Sequence, residues 1–306
     1  MKFDVLFSAS YLSRRGVPIM SFKSSILRPL RSCVLLAFAA LVAAAAATTD
    51  DRVLYRDGFV TVVSPDGATP AQARMVAKKV MDAWNFDLNL MRWTNPAPIQ
   101  RPLTVRLISD ERMKEERHGD TRAFSTINRF TVKMGLLDDP GVVRTFAHEL
   151  GHIQASRTMG GLKVPRYFME GHGQMMNISY SDHLGQDRRS VGANQARVFM
   201  KLTPEKTQIV LTDEERGGKE PNMEVIGIYF VEYLRARKGI ADAVPRMGRV
   251  FEFVGRGEAY PKAFQHAYGL SLDRTVAELI KYIQTTASNP VARVKGTSFE
   301  QYLPQK

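Results

Sequence analysis

Two imidazoles and a carboxylate fall within five consecutive residues, His148-Glu149-Leu150-Gly151-His152. On a helix, positions i and i+4 are neighbours on one face, so His148 and His152 can bind one metal ion together. Glu149 follows the first histidine, where its carboxylate can lie beside a metal-bound water and take its proton. The chemistry these residue types suit is hydrolysis assisted by one zinc ion per chain, with Glu149 as general base.

Such a pair needs a helix to hold it. Asp138 and Asp139 supply an N-cap, Pro140 suits the first helical position, and Gly160-Gly161 provides a stop, so the sequence predicts a bounded helix around the motif. At about 100° per residue, Val142, Val143, Phe146, Leu150 and Ile153 share one apolar arc, and both histidines point to nearly the opposite side. The core does not claim them.

A hydrolytic zinc site takes a third protein ligand and keeps one position open for water. The segment from Val164 to Gly173 offers Glu170, eighteen positions after His152, and His172 as its competitor. The metzincin pattern, which requires glycine three and histidine six positions after His152, is disfavoured, because Ala155 and Thr158 stand there. Gly171 and Gly173 flank His172 and weaken a helix unless close packing requires them. Gln174, one turn after Glu170, is placed to orient a ligand from behind.

With these residues in view, the chain resembles the gluzincins, the thermolysin-like zinc metallopeptidases. It is most similar to the bacterial peptidase-MA type group, where Pro-x-Trp-x-x-Glu-Gly-x-Ala is usual. Here the stretch reads Pro165-Arg166-Tyr167-Phe168-Met169-Glu170-Gly171, an aromatic residue standing in for tryptophan, and His172-Gly173 replaces the usual small residue that follows. The resemblance implies a zincin-like α+β fold, Glu170 on a following helix as third ligand, and an edge strand beside the metal helix that holds an extended peptide. The strand Phe130–Met134, just before the metal helix, is expected in that place. Downstream, Ile226–Leu234 and Ala259–Phe264 look like the helical half of the group. Glu224 occupies the position where a tyrosine is often found there, which leaves Tyr229 and His172 as candidate oxyanion donors.

The elements around the motif alternate in type along the chain. Val53–Val63 reads as strand interrupted at Asp57-Gly58, and Pro70–Trp93 as an amphipathic helix opened by Thr69. Leu103–Ile108 alternates like a strand and leads to a helix-prone stretch, Asp110–Glu115. From Pro140 onward the pattern is mainly helical, with a polar loop from Ser179 to about Gly192 and a turn-rich stretch from Thr212 to Asn222. The expected architecture is α+β: a strand-rich part to about residue 139, a helical part from about residue 140, and the site between them. The 306 residues, 44% of them hydrophobic, suffice for one large domain over residues 48–306.

Residues 1–47 read as a signal peptide. Cys33–Ala47 is an uncharged apolar run preceded by Lys23, Arg28 and Arg31 and closed by Ala45-Ala46-Ala47, too short for a confident membrane span. Met20 would give a more ordinary leader as the true start. The expected location is therefore periplasmic or secreted, the alternative being a tether through an uncleaved leader. Cys33 is the only cysteine, so a chain beginning near Thr48 would form no disulfide. Loss of residues 1–47 would lower the net charge from +12 to +7, a basic balance suited to dwelling near an anionic envelope or membrane surface. The basic clusters are short or mixed in sign and accompany no nucleic-acid motif, so the expected partner is a peptide or protein substrate, with no nucleic acid. The alternative function is a catalytically silent, zinc-stabilised binding or assembly factor of the cell envelope. Intact Glu149 weighs against it, since a structural site needs no base.

Overall fold

The computed structural model describes residues 51–117, 121–186 and 189–303; the leader expected over residues 1–47 lies outside them. The described part begins with a hairpin, β1 (Arg52–Arg56) and β2 (Val60–Ser64), folded where Asp57 accepts hydrogen bonds from the backbone of Phe59 and Val60. Thr69 then opens helix α1 (Pro70–Met91) with a reciprocal cap: its hydroxyl accepts from the Gln72 backbone, and Gln72 accepts from the Thr69 backbone. The helix ends short of Trp93, because Arg92 turns into the left-handed region at φ 50°.

Strand β3 (Leu103–Ile108) spans the expected residues and leads to α2 (Asp110–Arg117). Two further strands follow, β4 (Ala123–Thr126) and β5 (Arg129–Lys133), in a sheet ordered β1-β2-β3-β5-β4. The inner pairs β2/β3 and β3/β5 are parallel, and the outer pairs β1/β2 and β4/β5 antiparallel. This order corrects one expectation. The strand over Phe130–Met134 is not the edge: β5 is paired on both sides, and the edge is β4. Four residues, two of them hydroxyl-bearing, are too few for a readable alternation.

Helix α3 (Pro140–Met159) carries the His-Glu-Leu-Gly-His motif and packs against β4, β5 and α1. Phe146, Leu150 and Ile153 are buried as the phase required, while the side chains of Val142 and Val143 lie outside the described set. After α3 the chain is helical: α4 (Arg166–His183), α5 (Arg189–Lys201), α6 (Pro204–Thr212), α7 (Glu214–Gly217), α8 (Met223–Lys238), α9 (Ala243–Gly255), α10 (Tyr260–Tyr268) and α11 (Leu272–Thr285). The fold is thus α+β, with its five strands in the first half and most helices in the second. The polar loop expected from Ser179 is narrower than its composition suggested. α4 runs on to His183, where Tyr180 is buried and hydrogen-bonded to Asp82 of α1 at 2.8 Å. Tertiary packing holds residues in helix that composition alone assigns to loop.

Two buried polar residues on α3 lock it in place. Gln154 donates to the Trp84 carbonyl and accepts from the Trp93 indole, both at 3.1 Å, joining α3 to α1. Arg157 spreads its guanidinium over four carbonyls, those of Ile127, Ile99, Arg101 and Pro102, at 2.7–3.2 Å. Burial, with some repulsion from Arg101, pulls its pKa down to about 10, still well above neutrality. It therefore stays charged, and its bond to Ile127 fixes the β4–β5 turn over the end of the motif helix.

Candidate metal centre

The helix crossings decide where the site residues point. α3 and α4 pack closely, and α4 in turn packs on α8. A Cβ on Gly171 would lie 2.7–2.8 Å from the Gly227 backbone, so the α4–α8 crossing needs glycine there. Gly173 serves the motif itself. A Cβ on it would lie 2.7 Å from His152 Cε1 and 2.9 Å from His148 Cε1, so the imidazole edges occupy the space that any side chain would fill.

Three ligand-type atoms converge beside that glycine. The Nε2 atoms of His148 and His152 are 3.0 Å apart, and Glu170 Oε2 lies 3.5 Å from the first and 3.3 Å from the second. Among the described residues this is the one group of histidine, cysteine or carboxylate side chains that could hold a metal ion, its ligand atoms all within 4.8 Å of one another. Glu170 is the third member, as expected.

The electrostatics favour a cation. Burial would raise the Glu170 carboxyl, but hydrogen bonds and charge from His148 and His152 outweigh it and hold the group well below the usual carboxylate range. Burial would lower His148, but Glu170, then the charges of Glu149 and Glu224, raise it instead. Three carboxylates therefore act on His148, and one of them, Glu170, also reaches His152. Glu170 also has Arg166 one turn back, 3.8 Å from Oε1 and more than half exposed.

Glu149 lines the same cleft as these ligand-type atoms and faces the sheet edge. Ser125 of β4 donates to its Oε2 at 2.6 Å, which fixes the carboxylate between the edge strand and the imidazoles. This contact was not read from the sequence, where Ser125 is one hydroxyl in a polar tetrapeptide. A cleft of about 440 Å³ opens here, lined by Phe124, Ser125 and Thr126 of β4, by His148, Glu149 and His152, and by Met169 and Glu170.

The remaining candidates are distributed otherwise. Gln174 donates to Glu224 at 2.7 Å and accepts from Asn177 at 3.1 Å, so it joins α4 to the carboxylate whose charge His148 senses. Glu224 is therefore part of the site's surroundings. His172 is not. Two residues after Glu170 it is rotated about 200° around α4, fully buried behind Gly151 and against Phe251 at 5.0 Å between ring centroids. Burial, then the neighbouring His152 and His148, lowers its pKa far enough to keep it neutral. Tyr229 is buried against Phe199, ring centroids 4.7 Å apart, and lines no part of the cleft. Neither lines the cleft beside the three ligand-type atoms.

No family model matches this chain, and no curated protein is detectably similar to it.

Proposed function

We propose that the chain is a zinc-dependent peptidase. The carrying observation is the triangle of His148 Nε2, His152 Nε2 and Glu170 Oε2, with sides of 3.0, 3.3 and 3.5 Å. A tetrahedral ion with bonds of about 2.0–2.1 Å spaces its ligands about 3.3–3.4 Å apart, so the triangle is sized for zinc. Two imidazoles and one carboxylate also leave a fourth position for water, the composition of a catalytic rather than a structural site.

When bound, zinc would polarise a scissile carbonyl and acidify a water beside it. The protein's own groups do the rest. Glu149, oriented by Ser125, takes the proton of the attacking water and returns it to the leaving amine. The outer edge of β4 pairs with no other strand among the described residues, so it offers backbone donors and acceptors to an extended peptide, a mode tolerant of side chains. Glu170 and the packing against Gly173 hold the imidazoles in place.

Metal analysis of the purified protein, together with cleavage of a broad peptide library by wild type and Glu149→Gln, tests the reading. One zinc per chain in both proteins and hydrolysis reduced about a hundredfold or more in the variant are expected. Equal cleavage by both would refute the role of Glu149. Zinc binding without cleavage of any peptide would leave a silent binding factor in its place.

A further inference from the structure

A second cavity, of about 430 Å³, lies beside the cleft and shares Ile127, Ser156 and Met169 with it. Met159, Leu162 and Val164 complete its apolar lining, at the end of α3 and in the link to α4. Leu162 is 49% exposed and Ile127 41%; among the described residues only three other large hydrophobic side chains are exposed, and none lines this cavity. Two such residues gathered at one mouth, continuous with the candidate catalytic cleft, mark a surface shaped to be covered during binding.

The strand next to it gives the occupant and its direction. Ser125 touches Glu149, and Ile127 lies two residues further on, in the turn just past the C-terminal end of β4. A peptide added to the free edge of β4 in the antiparallel sense, the more stable pairing, runs the opposite way. Its residues before the scissile bond then lie beside Ile127 and the second cavity.

We infer that this cavity is a specificity pocket for a large apolar side chain on the N-terminal side of the bond cleaved. The inference rests on the peptidase reading and adds a substrate class to it: extended peptides with leucine, methionine or phenylalanine within the two residues preceding the scissile bond. Burial of such a side chain amounts to about a ten- to hundredfold preference in kcat/KM over alanine at that position.

The experiment maps the cleavage sites of the zinc-loaded full chain in a peptide library, with Leu162→Glu and Leu162→Ala as variants. Leu184→Glu, at an exposed leucine away from both cavities, serves as control. Wild type should favour large apolar residues before the bond. Leu162→Glu should lose that preference about tenfold or more, through KM, and gain turnover of peptides with lysine or arginine there; Leu162→Ala should show a smaller loss, and the control none. Cleavage without an apolar preference on that side, or a preference unchanged in both Leu162 variants, overturns the pocket and leaves the peptidase standing. A zinc-loaded wild type that cleaves nothing removes the peptidase reading and this inference with it.

Discussion

Replacing Gly173 by alanine should loosen the metal while strengthening the helix that helps to hold it. α4 gains about 1 kcal/mol of intrinsic preference from Gly→Ala. The new Cβ, however, would lie 2.7 Å from His152 Cε1, 2.9 Å from His148 Cε1 and 3.0 Å from His148 Nδ1. That is roughly 0.8 Å inside the ~3.5 Å at which carbon–carbon contact becomes favourable. The rings are rigid, and Nε2 is bonded to Cε1, so any retreat moves the ligand atoms with it. His152 has no hydrogen bond at its buried Nδ1 to resist the displacement; packing alone orients that ring. Metal sites tolerate ligand errors of about 0.2 Å, so zinc affinity should fall at least about ten- to hundredfold, or about 1.4–2.8 kcal/mol. Competition titration against a chromophoric chelator measures the affinity, and thermal unfolding of the metal-free protein measures the fold. The metal-free variant should melt no lower than wild type, because the imidazoles can turn aside when no ion holds them. Gly171→Ala is the contrasting case: its Cβ meets the Gly227 backbone, which cannot rotate away, and the metal-free protein itself should lose stability. Zinc affinity in Gly173→Ala within about twofold of wild type would refute the packing argument.

Other outcomes follow from the same geometry. Glu170→Ala should strip most of the zinc, whereas His172→Ala should keep the metal and lower the melting temperature, since it opens a cavity against Phe251; metal analysis and thermal unfolding separate the two. Ser125→Ala should leave zinc content unchanged and reduce kcat about tenfold, by releasing Glu149, the proposed base, from a charge-assisted hydrogen bond, as steady-state kinetics would show. Asp87 is fully buried with no hydrogen-bond partner on either oxygen, and burial raises its carboxyl well above the usual range. Its contribution to stability is complete below the unfolded value of about 4 and is lost as pH rises through the folded one. Asp87→Asn should therefore be more stable than wild type at pH 7, with the difference closing toward pH 4 in denaturant titrations.

The motif helix was legible because its signals are local and agree with one another. Proline at the start, glycines after the end, a five-residue apolar arc and two histidines opposite it all follow from a 3.6-residue period. Residues 103–108 and the cap at Thr69 were legible for the same reason. Glu170 was narrowed to two candidates by spacing and ligand chemistry; the choice over His172 is one of helical rotation, once α4 has its face on α3. What sequence left unassigned has long-range partners. Ala123–Thr126 becomes the edge strand only by pairing with β5, and Ser125 becomes a partner of Glu149 only when that edge lies across α3. Gly173 reads as a helix-weakening residue until two imidazoles from another helix fill its side-chain space. The sequence by itself determined the residue types of the candidate site and the helix that spaces the histidines, since these depend on neighbours one turn apart. Only the tertiary structure decided which way Glu170 faces, which strand borders the cleft and where its apolar pocket opens, because each depends on residues tens of positions apart being packed together.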